Sequence, residues 1–459
     1  MTMTALILAG GQGTRMKSPL PKVLHPVAGK PMLIRALECC NQAGVKNIRI
    51  VVGHGQHLVN SVIEPVQISL NAKTFVQEKQ LGTADAVKAA ELNSLQGDVL
   101  IMNGDHPLIK TEDIKSFFKL FAEKKLELAV FTVELNERND FGRIIRHDGK
   151  LQSIAEVKDA SAETLKIKEI NTGIYIAKAD ILKKLIPLVQ NNNSKKEFYL
   201  TDIIGLARQH NIPVDALLID NSDIAHGVNT QVELAAATGK VFLANAEKLM
   251  NSGVIFIDPK STYVEDTVLV AAGCVIYPGV FLRGKTAIGA FSVIESNCFI
   301  SDSVIGDGVQ IKAGSYIEKT IIHAQASIGP YARLRPETTI GQGAHVGNFV
   351  EMKKVNFGAK SKAGHLTYLG DAEIGEDVNI GCGTITCNYA ADKKKYKTII
   401  KDRVFVGSDT QFIAPVTVES DAIIASGTTV TKSVPAGALA LSRTAQVNKE
   451  GYAKKFRKN

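Results

Sequence analysis

The stretch Leu282-Arg283-Gly284-Lys285-Thr286-Ala287-Ile288-Gly289-Ala290-Phe291-Ser292-Val293-Ile294-Glu295-Ser296-Asn297-Cys298-Phe299-Ile300 decides the fold of the C-terminal half. Its aliphatic residues Leu282, Ile288, Ile294 and Ile300 recur every six positions, a period that belongs neither to a helix nor to an alternating strand. The step begins at Val264, Val270 and Ile276, slips by one after Ile300, and resumes at Ile305, Ile311 and Ile317. It continues through Ile322, Ile328, Leu334, Ile340 and Val346, reappears at Ile374 and Ile380, and runs again from Ile400 to Val406, Phe412, Val418, Ile424 and Val430. A hexapeptide repeat of this kind predicts a β-helix, in which each face turns a corner and stacks its aliphatic residue on the coil below. The gap at residues 353–373 predicts a loop thrown out of the coil, and such insertions gather on a solenoid's binding face.

The first half reads differently. Short apolar runs at 5–9, 47–52, 99–102, 128–133 and 171–177 alternate with amphipathic stretches, the pattern of an α/β domain with a largely parallel sheet. Ligands in such sheets sit beyond the carboxyl ends of the strands. The Ala-, Leu- and Lys-rich segment that follows opens on Thr230-x-x-Glu233, a capping-box pattern, and predicts one long helix joining two domains. The expected organisation is therefore 1–229, a linker helix over 230–252, and the repeat domain over 253–459.

With 459 residues the chain is too long for a single ordinary core. No apolar stretch approaches the roughly 18 residues of a membrane span, and Met1-Thr2-Met3-Thr4 lacks the basic start of a signal peptide. The expectation is a cytoplasmic protein that contacts neither membrane nor nucleic acid. The net charge of +8 is spread out, and there is no tryptophan and no stacking motif, so small anionic substrates explain the basic balance better than nucleic acid. Six cysteines without a Cys-x-x-Cys spacing point to reduced thiols, and a bound metal should be held by oxygen. The basic end at 449–458 reads as a solvated tail.

The chemistry of the first half starts at Leu8-Ala9-Gly10-Gly11-Gln12-Gly13-Thr14-Arg15-Met16, followed by Pro21-Lys22-Val23-Leu24. A glycine-rich turn after a buried strand lets backbone N–H groups approach an anion, and Arg15 and Lys22 add the fixed positive charge that a triphosphate needs. The spacing is neither the dinucleotide fingerprint nor the phosphate loop of P-loop NTPases. A plain strand-to-helix turn would explain the glycines but not the two cations.

Together with Gln80-Leu81-Gly82-Thr83-Ala84 and Asn103-Gly104-Asp105, these blocks resemble the sugar nucleotidyltransferases, which have a Rossmann-like domain. Gly347-Asn348-Phe349-Val350-Glu351-Met352-Lys353-Lys354 and Lys362-Ala363-Gly364-His365-Leu366-Thr367-Tyr368 resemble an acetyltransferase built on a left-handed β-helix. Along nearly its whole length the chain thus resembles the bacterial family of bifunctional N-acetylglucosamine-1-phosphate uridyltransferases and glucosamine-1-phosphate acetyltransferases. The resemblance implies a homotrimer, UTP and acetyl-coenzyme A as co-substrates, and one Mg²⁺ on Asp105 and Asn229, with a further divalent ion left open. A cap directly before the helix is the plainer use of Asn229.

By the same resemblance Leu8, Ala9, Gly10, Gly11, Lys22, Gln77, Gly82 and Thr83 bind the nucleotide, with Gln80 beside them. Gly142, Glu156, Asn171 and Asn229 hold the sugar phosphate, and Arg15 and Lys22 act in catalysis. In the repeat domain His365 is implied as the base that takes the amine proton, with Glu351 orienting it. Arg335, Lys353, Tyr368 and Asn379 match sugar-phosphate positions. Asn388 and Tyr389 belong there too and also stand among the acetyl-coenzyme A positions, with Cys382, Ser408, Ser426 and Arg443. Cys382 and Ser426 depart from the small alanines of the family pattern.

Two other readings stay open in the sequence. The β-helix could be a scaffold beside an active nucleotidyltransferase, but a scaffold has no use for His365, Asn388, Tyr389 and Lys353 together. A non-catalytic subunit keeping both folds would have no use for Arg15, Lys22 and Asp105.

Overall fold

A computed structural model describes residues 3–136 and 140–456. The described chain divides into two compact units, Met1–Val241 and Phe242–Asn459.

In the first unit the strand order is Val214–Leu218, Leu128–Glu134, Glu169–Lys178, Asp98–Asn103, Met3–Ala9, Asn47–Val52, Ala72–Val76. Glu169–Lys178 runs antiparallel to both neighbours, and the other pairings along this path are parallel. The central strands are buried on both faces because alternate side chains feed two different cores. Ala5, Ile7 and Ala9 pack with Leu100 and Met102 on one face, and Leu6 packs with Val99 and Ile101 on the other. The parallel register sets Leu8 beside Asn103. The glycine loop and Asp105 therefore leave the same sheet edge from adjacent strands.

The helix Gln231–Asn251 starts as its sequence predicts. Glu233 accepts from the backbone N–H of Thr230 at 3.0 Å while its own N–H donates to Thr230 Oγ1 at 3.2 Å, so Thr230 is the cap. This leaves the Asn229 side chain free for other work.

In the second unit all but two of the described strands are two or three residues long, and they pair in parallel with the strand one coil on, as in Val264 with Leu282 and Ile288 with Ile305. The six-residue aliphatics form one continuous buried column from Val264 to Val430. The one-residue slip after Ile300 is a shortened face, which turns an 18-residue offset into 17 at Ile300 and Ile317.

Residues 353–373 do not form the expected loop. They belong to two 13-residue strands, His345–Phe357 and Lys362–Ile374, paired in register from His345 with Lys362 to Phe357 with Ile374. Met352, Phe357, Ala363 and Leu369 fill the inward positions, but they vary in size and include five-residue steps, which hides them from an aliphatic count. The true insertion lies between Thr386 and Ile400, where Ile374 pairs with Ile400 across the added residues. It contains Lys393, Lys394 and Lys395. The tail over 449–456 is exposed, and the end of that basic segment, including Lys458, lies outside the described residues.

Candidate functional site

A cleft of about 1410 Å³ opens at the carboxyl edge of the first unit's sheet. Every site residue expected in that unit lines it: Leu8, Ala9, Gly10, Gly11, Arg15, Lys22, Gln77, Gln80, Gly82, Thr83, Asp105, Gly142, Glu156, Asn171 and Asn229.

Local chemistry explains how they meet. Gly13 is left-handed, at φ 63°, and a Cβ there would stand 2.7 Å from Lys22 Cβ. Only glycine lets the loop close on the lysine. Gly82, at φ 123°, would meet the Phe198 carbonyl oxygen at 2.5 Å, and the Phe198 N–H and carbonyl clasp Leu81 and Ala84. That clasp brings Lys195, Glu197 and Tyr199 into the cleft wall, three residues with no local signal in the sequence. Gln77 is buried, its amide donating to the Gly82 carbonyl at 3.1 Å and to Asp85 Oδ2 at 2.8 Å.

At the floor of the cleft the Lys22 ammonium contacts Asp105 Oδ2 and donates to Asn229 Oδ1 at 2.9 Å. The Val228 N–H donates to the Asp105 carbonyl at 2.9 Å, which ties the loop carrying Asn229 to the strand end carrying Asp105. Burial alone would raise the Asp105 pKa, but the Lys22 charge and the His106 ring outweigh it and hold the carboxyl below its usual value. Asp105 Oδ1 is buried without a hydrogen-bond partner.

Asp105 Oδ2 and Asn229 Oδ1, both turned toward the Lys22 ammonium, together with the orphaned Asp105 Oδ1 make an oxygen set that fits a hard divalent ion. Among the described residues no group of three or more His, Cys, Asp or Glu forms a metal cage, so such an ion would complete its shell with phosphate or water. Farther along the cleft Glu156 accepts from Thr201 Oγ1 at 3.2 Å, and burial pushes its carboxyl upward. Asn171 Oδ1 accepts from the Gly173 N–H at 2.8 Å.

On the β-helix, register does the assembling. Asn348 pairs with His365, and Lys362 pairs with Asn379, which sets Cys382 above His365 in one outward column. The Gly427 N–H donates to the Ser408 carbonyl at 2.8 Å, and the Asp409 N–H to the Cys382 carbonyl, so Ser408 and Ser426 continue that column. His365 is exposed on a strand rather than on the loop expected for it.

A neighbouring column gathers Arg335, Lys353, Tyr368 and Asn388, whereas Asn379 lies apart from them, paired with Lys362 and Phe405. Arg335 donates to Glu351 Oε1 at 2.8 Å, Glu351 pairs with Tyr368, and Asn388 Nδ2 donates to Asp371. Lys395 and Arg335 repel the charge of Lys353 and lower its pKa. Asp371 and Lys395 were not expected in the site. Glu351 is engaged by Arg335 rather than by His365. Tyr389 is exposed, and Arg443 is exposed beyond the last rung.

The nucleotidyl transferase family matches residues 4–224. The GMPPB C-terminal domain matches 260–356, and the hexapeptide repeat of succinyl-transferase matches 397–432. A bifunctional protein GlmU from Bdellovibrio bacteriovorus is 60% identical over 453 residues, covering 99% of this chain and 98% of its own. Another from Trichlorobacter lovleyi is 45% identical over 458 residues, covering 99% of each. Among solved structures, an apo UDP-glucose pyrophosphorylase covers 53% of this chain and 100% of its own at 17% identity and a TM-score of 0.45.

Proposed function

We propose, for a chain that belongs to the family of the bifunctional GlmU proteins, a residue-by-residue division of labour between two sites. The enzyme acetylates glucosamine-1-phosphate and uridylates N-acetylglucosamine-1-phosphate, so its product is UDP-N-acetylglucosamine. The proposed boundaries are 1–229 for uridyl transfer, 230–252 for the linking helix and 253–459 for acetyl transfer.

In uridyl transfer a sugar-phosphate oxygen attacks the α-phosphorus of UTP and pyrophosphate leaves. Both reactants are anions, so positioning and charge carry the step. The observation that carries this reading is the Lys22, Asp105 and Asn229 cluster at the floor of a cleft walled by the glycine loop. Arg15 and Lys22 offset triphosphate charge. Gln77, Gln80, Gly82 and Thr83 hold the uracil end, and Gly142, Glu156 and Asn171 hold the sugar. Asp105 and Asn229 would hold Mg²⁺, which when bound neutralises phosphate charge.

In acetyl transfer His365 removes the amine proton as nitrogen attacks the thioester carbonyl, and the coenzyme A thiolate leaves. Arg335, Lys353 and Tyr368, with Asn379 and Asn388, grip the sugar phosphate, and the column of Cys382, Ser408 and Ser426 faces the thioester arm. Support comes from the shared column of His365 and Cys382. A homotrimer is supported by Phe405, Ile423 and Leu439, exposed apolar residues paired on successive coils. A cytoplasmic site of action is supported by the six free cysteines.

Mass-spectrometric assay of the purified protein with glucosamine-1-phosphate, acetyl-coenzyme A, UTP and Mg²⁺, omitting each in turn, tests the scheme. Sugar nucleotide that forms only with all four supports both sites. Formation only from pre-acetylated sugar phosphate would leave the β-helix a scaffold.

A further inference from the structure

His106 is an unexpected member of the first site. It is 4% exposed, lines the cleft, and follows directly on Asp105. Its Nδ1 lies 2.8 Å from the Ile224 carbonyl oxygen. A carbonyl can only accept, so Nδ1 carries the proton, and in the neutral ring the Nε2 lone pair is left for another partner. Metal-bound histidines are oriented in this way, by donating their other ring N–H to a backbone carbonyl or carboxylate.

Nε2 stands 3.6 Å from Asp105 Oδ1, and that oxygen has no hydrogen-bond partner. The separation is long for a hydrogen bond. Two ligands each about 2.1 Å from one ion stand roughly 3.0–3.4 Å apart, depending on whether the angle is octahedral or tetrahedral. The two atoms thus need only small movement to share a cation. Gly227 closes on both atoms: a Cβ there would crowd Nε2 at 3.3 Å and Oδ1 at 3.4 Å, so the glycine keeps a side chain off the pair. The neighbouring Val228 N–H fixes this loop to the Asp105 carbonyl.

We infer that His106 is a nitrogen ligand of the divalent cation at Asp105, so that the site holds a borderline ion such as Co²⁺ through an imidazole as well as through oxygen, with Mn²⁺ able to report the same nitrogen. Imidazole contributes more to such ions than to Mg²⁺, which favours oxygen donors. The inference rests on the reading of Asp105 as a metal ligand.

The test is pulsed EPR of Mn²⁺ bound to the full-length protein with UDP-N-acetylglucosamine present, joined to calorimetric titration with Co²⁺ and with Mg²⁺. The wild-type spectrum should show coupling to a directly bound imidazole nitrogen. His106→Asn keeps an N–H where Nδ1 stands and removes Nε2. It should abolish the coupling and weaken Co²⁺ by about tenfold or more, with Mg²⁺ changed far less.

Absence of nitrogen coupling in the wild type, or equal weakening of both ions in the variant, would overturn the inference. The first result needs no variant to fold. Asp105→Asn separates the two levels of failure. If it abolishes Mn²⁺ binding while the wild type lacks nitrogen coupling, only the His106 assignment falls. If it leaves Mn²⁺ binding intact, the metal reading of Asp105 falls as well.

Discussion

Replacing Gly13 by alanine perturbs the joint between the glycine loop and Lys22 without touching a charged group. Gly13 sits at φ 63° and ψ 35°, where a Cβ costs about 1–2 kcal/mol. That Cβ would also stand 2.7 Å from Lys22 Cβ, whereas ordinary contact begins at 3.4 Å, so one of the two must retreat by 3.4 − 2.7 = 0.7 Å. The turn Lys22–Leu24 is anchored by buried Val23 and Leu24, which resists the movement. The displacement therefore passes to the Lys22 ammonium and its contacts with Asp105 and Asn229.

Misplacement on the order of 1 Å costs about 10² in rate, so uridyl transfer from pre-acetylated sugar phosphate should fall about 10²-fold in a pyrophosphate-release assay. The first unit's melting temperature should fall by about 2–8 °C, taking about 2–4 °C per kcal/mol. Acetyl transfer by the same preparation should be unchanged. Uridyl transfer within a few-fold of wild type would refute the claim that the loop positions Lys22.

His365→Ala should lower acetyl transfer by about 10² to 10⁴ and spare uridyl transfer, read in separate assays of the two half-reactions. Glu156→Gln should raise the melting temperature at about pH 7 while weakening sugar-phosphate binding. Burial lifts the folded pKa of Glu156 above its unfolded value, so the cost of charging it is absent below the unfolded pKa and full above the folded one. The gain should therefore vanish near about pH 4. Gly239→Ala, inside the helix Gln231–Asn251 where a Cβ meets nothing within 4 Å, should stabilise the protein by about 0.8–1 kcal/mol, measured by denaturant titration.

Most of the β-helix was legible because one buried column demands an aliphatic residue at a fixed step. Legibility failed where the column accepts other shapes. Met352, Phe357, Ala363 and Leu369 fill it as well as isoleucine does, and the register continues through residues that read as a loop. The real insertion was visible only as a lysine-rich run.

The first site was legible through motifs whose glycines and charges lie close in the chain. Lys195, Glu197 and Tyr199 reach it through the backbone clasp of Phe198 on Leu81 and Ala84, a long-range pairing with no local pattern. His106 and Gly227 are brought together by tertiary contact alone. Asp371 meets Asn388 only because one coil lies over another.

The proposed function comes down to a division of labour between two separable sites that act in series. Its most direct test mixes two variants that each lack one half-reaction, Lys22→Ala and His365→Ala, separately purified, with glucosamine-1-phosphate, acetyl-coenzyme A, UTP and Mg²⁺. Neither variant alone should form UDP-N-acetylglucosamine at an appreciable rate, and the mixture should form it readily, because one protein acetylates and the other uridylates. A mixture as inactive as its parts, with both folded, would contradict the claim.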